Sequence, residues 1–158
     1  MELNKDVFIQ QGILDCQIDQ LIKYSNTDPE IKKFTSDLIR FKDRPSFNKW
    51  LEQGKVIYTL IDKKNNLLGI SWFGQKNPPI KLNANFTFAI RIYGLARGQG
   101  LSYPFLKTTI SDVLKSSKDK VAGFWLQVSI DNIPAINTYK KIGFKKIDTI
   151  EDKVIMVL

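Results

Sequence analysis

The stretch LARGQGLSYPFLKTTISDVL, residues 95–114, places two glycines and an arginine directly before a run with helical spacing. Gly98 and Gly100 can adopt the positive φ angles of a tight turn and let main-chain N–H groups approach a ligand closely. Leu106 and Ile110 recur at the spacing of a helix, so the turn leads into a helix N-terminus. Such a turn is either an ordinary strand-to-helix connection or an anion site, and the turn alone favours neither.

The interpretation of this turn as an anion site rests on three features that act together. Arg97 is cationic, the first N–H groups of a helix lack intrahelical partners, and the helix dipole is positive at that end. Pro104 fits the first helical turn, because the N–H that it lacks would be unpaired there. The turn has neither the ending of a P-loop nor the spacing of a dinucleotide-binding loop. A pyrophosphate at residues 97–102 is the ligand that these features indicate.

The composition is typical of one soluble domain and narrows the chemistry. The 158 residues are 43% hydrophobic and 25% charged. The absence of histidine excludes Ser-His and Cys-His nucleophile pairs and histidine metal sites, and no metal is expected. The single Cys16 excludes an intrachain disulfide, and its apolar neighbours at helical spacing predict a buried structural cysteine. With no membrane-spanning run and no signal-peptide pattern, we expect a cytoplasmic protein that does not bind membranes.

The charge balance favours polyanionic partners without identifying one. Lysine and arginine number 24 against 16 acidic residues, which gives a net charge of +8. Such a surplus fits a phosphorylated cofactor, an acidic peptide, a ribosome or RNA. The basic residues are spread along the chain, so a lysine-rich soluble surface explains them as well. Nucleic acid is therefore not the expected partner.

The order of the predicted elements indicates an α/β fold. A short strand at residues 6–10 precedes three helices, and a helical stripe over residues 31–41 follows Asp28 as N-cap and Pro29 as first residue. An antiparallel meander comes next, and then strand, helix, strand, helix and two last strands. This order predicts a mostly antiparallel sheet with one parallel crossover.

A second motif, WLQVSIDNIPAINTYKKIGF at residues 125–144, adds a family resemblance. The R-G-x-G-x-S turn before a helix, followed by a strand, N-x-P-A, a tyrosine and G-F, resembles the acetyl-CoA-dependent N-acetyltransferases of the GNAT superfamily. The matching motifs cover residues 85–144. The resemblance implies a six- to seven-stranded sheet, helices on both faces, a splayed central strand pair, and one N-acetyltransferase domain over residues 1–158.

The resemblance also implies acetyl-CoA as co-substrate and names the residues that would bind it. The pantetheine arm would pair with the strand that ends at Ile92 and Tyr93, the pyrophosphate would lie on the amides of residues 99–102, and Asn132 would hydrogen-bond the arm. The complete implied set is Ile92, Tyr93, Arg97, Gly98, Gln99, Gly100, Leu101, Ser102 and Asn132.

Two further positions carry the implied catalytic roles. Tyr139 stands at the family's general-acid position, and the ordinary pKa values of a thiol (about 8.5) and a phenol (about 10) suit proton transfer to a leaving thiolate. The pattern is most similar to that of ribosomal-protein alanine acetyltransferases, which carry W-L-E-V at the second strand. Here Gln127 replaces the glutamate, and an amide cannot accept the proton of the attacking amine. A core packing role remains the alternative for Tyr139.

Three functions stay open at this point. The first is an N-acetyltransferase with direct attack by a primary amine, which could be a peptide N-terminus, a lysine or a small molecule. The second is a catalytically weak acyl-CoA-binding or regulatory module, which Gln127 favours. The third is a basic ribosome- or RNA-associated protein. The sequence leaves the acceptor, the general base and the choice between monomer and homodimer undecided.

Overall fold

The structure is a computed structural model that describes residues 1–4, 6–117 and 120–158. Its strands are β1 Glu2–Asn4, β2 Val7–Gln11, β3 Val56–Asp62, β4 Leu67–Gln75, β5 Phe86–Ile92, β6 Phe124–Ser129, β7 Lys145–Ile150 and β8 Lys153–Val157. Its helices are α1 Asp15–Thr27, α2 Pro29–Phe34, α3 Asp37–Arg40, α4 Arg44–Leu51, α5 Ser102–Ser116 and α6 Ile133–Ile142, with a 3₁₀ turn at Gly94–Ala96.

The eight strands form one sheet in the order β1-β2-β3-β4-β5-β6-β8-β7. The pairs β1–β2, β2–β3, β6–β8 and β7–β8 are antiparallel, and β5–β6 is parallel. The predicted α/β class, with a mostly antiparallel sheet and one parallel crossover, is therefore confirmed.

The sheet has eight strands, whereas the family resemblance implies six to seven. The additional strand is β1, whose Glu2 pairs with Phe8 of β2. The amino group of Met1 donates to the carbonyl oxygen of Ile9 at 2.7 Å and so extends the pairing. A three-residue strand is too short to show the alternation by which strands are predicted from sequence.

The chain divides into two compact units. The first unit comprises Met1–Trp72 and Ile90–Leu101, and the second comprises Phe73–Ala89 and Ser102–Leu158. Strands β4 and β5 contribute residues to both units.

The first unit has an aromatic core between its short helices and β4. The ring centroid of Phe41 lies 4.9 Å from that of Trp50 and 5.6 Å from that of Trp72, and both contacts are edge-to-face. Trp50 and Trp72 make a similar contact at 5.3 Å. Edge-to-face pairs at these separations stabilise a core beyond the area that they bury.

The helical stripe predicted over residues 31–41 is interrupted. Asp28 caps α2 as predicted, since its carboxylate accepts from the N–H groups of Glu30 and Ile31. The helix ends at Phe34, because the Thr35 hydroxyl donates to the carbonyl of Ile31 and accepts from the N–H of Asp37, which starts α3. Leu38, expected on the buried face, is 44% exposed.

The prediction of a buried Cys16 is wrong. Cys16 is the second residue of α1 and is exposed. The buried face of α1 runs through Ile18, Leu21 and Ser25, at intervals of three and four residues. A residue two positions before Ile18 lies about 200° around the helix axis, on the opposite side.

The second unit packs α5 and α6 together and α6 onto one face of β5. The ring of Tyr139 on α6 lies 5.8 Å from that of Phe88 on β5 and 6.0 Å from that of Phe144. Leu106 and Ile110 of α5 are buried, as their helical spacing predicts. Helix α5 connects the parallel strands β5 and β6, and α6 follows β6.

Candidate functional site

Strands β5 and β6 pair over a short distance and then separate. The described parallel pairing joins Phe86 to Phe124 and Thr87 to Trp125. Strand β6 continues to Ser129, but Phe88 and Ala89 have no partner on it among the described pairs. The splayed strand pair implied by the family resemblance is therefore present in the second unit.

The glycine turn has the backbone that its sequence predicts. Gly98 has a φ of 76° and Gly100 a φ of 71°, in the region that side chains other than glycine disfavour. A Cβ built at either glycine would meet no heavy atom within 4 Å. The turn is therefore open on the side where a side chain would stand, and it directly precedes Ser102, the first residue of α5. The binding of a pyrophosphate at this turn, by Arg97, Gly98, Gln99, Gly100, Leu101 and Ser102, stays a prediction.

The end of β5 offers main-chain groups on one edge. The N–H of Tyr93 donates to the carbonyl of Leu68 on β4 at 2.9 Å, and its own carbonyl accepts from Ala96 at 2.9 Å. Because alternate residues of a strand direct their main-chain groups to opposite edges, those of Ile92 point away from β4. Of the two residues predicted to pair with pantetheine, Ile92 is the one placed for an added strand.

Arg97 forms an ion pair that the sequence does not predict. Its Nη2 atom donates to Oδ2 of Asp28 at 2.6 Å. Asp28 is buried, whereas about a third of the Arg97 side chain is exposed. Burial acts to raise the pKa of Asp28, but the hydrogen bond and charge of Arg97, together with the N–H groups of Ile31 and Glu30, lower it on balance.

Helix α6 carries two of the predicted residues. Asn132 is its N-cap, and its Oδ1 accepts from the N–H of Ala135 at 3.3 Å. The cap uses only the side-chain oxygen of Asn132, so the NH2 group of that side chain takes no part in it. Tyr139 is 9% exposed and lies among the rings of Phe88 and Phe144. The tyrosine is thus oriented by packing, and its phenol role stays a prediction.

Gln127 is exposed in the middle of β6, opposite Ile155 of β8. On the other side of Ile155 stands Asp148 of β7. This placement depends on a bulge between Lys146 and Asp148, since uninterrupted pairing would put Ile147 opposite Ile155. The bulge thus turns the Asp148 carboxylate to the face of Gln127, two strands away.

The structure does not bring the two predicted catalytic side chains onto one face of the sheet. Gln127 shares a face with Trp125, which pairs with Thr87 of β5. Tyr139 contacts Phe88, the next residue of β5, whose side chain points to the opposite face. The two positions therefore lie on opposite faces of the part of the sheet where β5 and β6 separate.

A charged cluster in the first unit was not foreseen as part of a site. The buried carboxylate of Asp37 accepts from Nε and Nη2 of Arg91, at 2.6 and 3.0 Å, and from Nη1 of Arg40 at 2.7 Å. Both guanidinium groups also lie over the ring of Trp72. Arg91 is recognisable in the sequence as a charged residue inside a strand pattern, but its partner lies 54 positions away.

Comparison with known proteins gives matches in structure and none in sequence. No protein-family model matches the chain, and no curated protein matches it. A ribosomal-protein-S5-alanine acetyltransferase from Vibrio fischeri is similar with a TM-score of 0.72 and 12% identity, over 98% of this chain and 93% of that one. A GCN5-related N-acetyltransferase from Kribbella flavida matches with a TM-score of 0.74 and 12% identity, over 97% of each chain.

A third similar structure is a spermidine N-acetyltransferase from Vibrio cholerae in complex with CoA and spermine, with a TM-score of 0.69 and 17% identity over 98% of this chain and 94% of that one. In the described ranges no helix is long and apolar enough to cross a membrane.

At these low sequence identities the likeness to the three solved structures concerns the fold. The chain therefore has the fold of the GNAT acetyltransferases.

Proposed function

We propose that the protein is an N-acetyltransferase that moves an acetyl group from acetyl-CoA to a primary amine by direct attack. The observation that carries the proposal is the early end of the β5–β6 pairing, after Thr87 and Trp125. A sheet that opens between two central strands exposes main-chain groups to a ligand that can bind as an added strand. The fold shared with solved acetyltransferases supports the same activity.

The proposed cofactor contacts are mostly main-chain groups. The N–H and C=O of Ile92 would pair with the pantetheine amides, and the amides of residues 99–102 would hold the pyrophosphate. Positive φ angles at Gly98 and Gly100 make that approach possible. Arg97, which Asp28 holds in an ion pair through Nη2, would offer its other N–H donors to the pyrophosphate. The amide group of Asn132 would donate to the pantetheine arm.

In the proposed reaction the amine nitrogen bonds to the thioester carbonyl carbon, and the carbon–sulfur bond then breaks. Tyr139 would give its phenolic proton to the departing thiolate. The amine would lose its proton to water on the face of Gln127, opposite that of Tyr139, and the Tyr139 phenolate would regain a proton from solvent. Most of the rate enhancement would come from orienting the amine against the thioester, and from main-chain donors to the carbonyl oxygen.

A second function is favoured by one specific observation. Gln127 is an exposed amide where the similar acetyltransferase pattern has a glutamate, so the site lacks a carboxylate at that position. A module that binds acyl-CoA without turnover would need no base there. This alternative predicts acetyl-CoA binding in the absence of CoA release.

Two measurements on the purified chain test the proposal. Isothermal calorimetry with acetyl-CoA measures binding, and a thiol reagent measures CoA release with a panel of amines. The panel contains alanine, alaninamide, alanine-terminated peptides, an Nα-blocked lysine and spermidine. Binding with amine-dependent CoA release supports the acetyltransferase, and binding without release supports the acyl-CoA-binding module. Absence of binding would overturn both and leave the ribosome- or RNA-associated alternative.

A further inference from the structure

The cluster of Arg40, Asp37 and Arg91 contains one positive charge more than its own carboxylate balances. Both oxygens of Asp37 are occupied, because Arg91 binds them in a bidentate fashion and Arg40 adds a third hydrogen bond. The Asp37 side chain is fully buried, and that of Arg91 is 14% exposed. Arg91 and Asp37 thus form a neutral pair, and the charge of Arg40 is the surplus.

Arg40 is the member of the cluster that can reach a ligand. Its side chain is 30% exposed, and its guanidinium carbon lies 5.5 Å from the ring centroid of Trp72 and 5.7 Å from that of Phe41. Among the described residues, its single hydrogen-bond partner is Asp37 through Nη1. The Nε and Nη2 donors are therefore available, in a plane that the two rings hold in place.

A second anion beside Arg40 would reduce the electrostatic repulsion within the cluster. Burial lowers the pKa of Arg40, and the charge of Arg91 lowers it further, while Asp37 acts in the opposite direction. Two cations that share one carboxylate repel each other in a partly buried site. An anion placed at Nε and Nη2 would remove that repulsion.

A second donor on the same side of β5 also lacks a partner. Tyr93 follows Arg91 by two residues, so the two side chains share a face. Its ring is 2% exposed and stacks on Tyr24, and its hydroxyl has no hydrogen-bond partner in the described part of the chain. Burial, with a contribution from Asp37, raises the pKa of Tyr93 well above 10, so the hydroxyl remains a neutral donor.

We propose that Arg40 binds a carboxylate of the amine acceptor, so that the acceptor is an acidic amine such as an amino acid or a peptide with an acidic side chain beside its amino terminus. This inference rests on the proposed acetyltransferase function. Arg91 directly precedes Ile92, whose main-chain groups are the proposed cofactor contacts, so the carboxylate would lie on the same segment of β5. A polycation, such as the spermine in the similar Vibrio cholerae complex, would meet a surplus positive charge here.

The test compares acceptors that differ in one carboxylate, with rates referred to the unprotonated amine because a neighbouring carboxylate raises the pKa of the amine. Alanine against alaninamide tests an α-carboxylate, and Ala-Asp-Gly amide against Ala-Asn-Gly amide tests a side-chain carboxylate. We expect the wild-type chain to prefer the acidic member of at least one pair by about tenfold in kcat/KM, the usual scale of a hydrogen bond to a charged group. The preference should shrink as salt is raised.

Arg40→Gln should abolish this preference by raising the KM of the acidic acceptor, while the kcat for that acceptor stays unchanged. The variant should fold, because the pair of Asp37 and Arg91 that remains is neutral. Arg44→Gln is the matched control, since Arg44 carries the same charge in an exposed pair with Asp15 and Asp19, and it should keep the preference.

Binding of the same four probes to the CoA complex, measured by calorimetry, gives a readout that needs no turnover. Equal binding of acidic and neutral probes by the wild-type chain would overturn the carboxylate site, and so would a preference that survives Arg40→Gln. A wild-type chain that binds the acidic probe through Arg40 but releases no CoA would instead overturn the proposed acetyltransferase.

Discussion

The Nη2 atom of Arg97 lies 2.6 Å from Oδ2 of Asp28, which ties the glycine turn to the residue that ends α1 and caps α2. The pair joins positions 69 residues apart. Its carboxylate already accepts two main-chain N–H groups, so it is fixed before it receives the arginine. Any ligand at the turn would therefore meet a guanidinium whose position depends on α2.

The first prediction is that Asp28→Asn destabilises the fold at neutral pH by about 1 kcal/mol. Asparagine caps a helix as well as aspartate does, so the loss in the free energy of unfolding measures the contribution of the ion pair with Arg97. The estimate is modest because Arg97 is about one-third exposed and the pair is partly screened. Urea denaturation at pH 7 measures the difference.

The pH dependence of this difference has a defined sign. The pKa of Asp28 is lowered in the folded state, so its contribution is present above the unfolded value of about 3.9 and is lost as the pH falls through the folded pKa. The two proteins should thus converge in stability in acid. Asp43→Asn is the control, since Asp43 caps α4 by accepting from the N–H of Ser46 and, among the described residues, no arginine hydrogen-bonds to it. Equal losses in the two variants would show that Arg97 adds nothing.

The second prediction concerns the glycine turn. Gly100→Val should weaken acetyl-CoA binding at least tenfold, because its side chain would occupy the open side of the turn where the pyrophosphate is proposed to lie. The backbone cost of valine at positive φ is a separate effect. Gly54→Val controls for it, since Gly54 has a φ of 67° and is equally open.

Calorimetry with acetyl-CoA and urea denaturation separate binding from stability. Both variants should lose similar stability, and Gly54→Val should keep the wild-type affinity. An unchanged affinity in a folded Gly100→Val protein would place the pyrophosphate at another part of the chain.

A feature of the fold or site can be predicted from this sequence when it depends on residues that are close together along the chain. The cap at Asp28, the two last strands and the glycine turn are predicted from local patterns, and the structure contains all three. The sequence does not predict the end of α2 at Thr35, although the signal is local, because the apolar stripe continues past the hydroxyl that competes for the backbone.

The remaining features depend on contacts distant in sequence. The pairing of Arg97 with Asp28 and of Arg91 with Asp37 joins residues whose separation no periodicity encodes. The position of Asp148 depends on one extra residue in β7, and a single-residue shift reverses the face of every later side chain in a strand. Sequence reasoning could therefore identify the turn and the strands of the candidate site but not the charges around it.

The third prediction follows from Gln127. Gln127→Glu should raise CoA release at neutral pH, and more for an Nα-blocked lysine, whose amine has a pKa of about 10.4, than for an alanine peptide of about 8. The introduced carboxylate would accept the proton of the less acidic ammonium. Because Gln127 is exposed, the new charge stays hydrated and the fold should be unaffected.

Asp148→Asn provides the comparison for this variant. If Gln127→Glu brings no gain for either amine, the site has another proton acceptor, and Asp148 is the carboxylate that the bulge turns to the same face. A loss of activity in Asp148→Asn would then assign it that role. Initial rates across a pH series decide between the two.

The last prediction is that Tyr139 supplies the proton to the thiolate of CoA. Tyr139→Phe keeps the edge contacts with Phe88 and Phe144 and deletes the hydroxyl, so the fold should survive. We expect kcat to fall by about 10²-fold or more while the acetyl-CoA dissociation constant changes less than about twofold, since the proton is needed mainly in the transition state. Tyr24→Phe, which removes a hydroxyl from a ring stacked on Tyr93, should leave kcat unchanged. Normal turnover by Tyr139→Phe would make Tyr139 a packing residue, with the thiolate protonated by water.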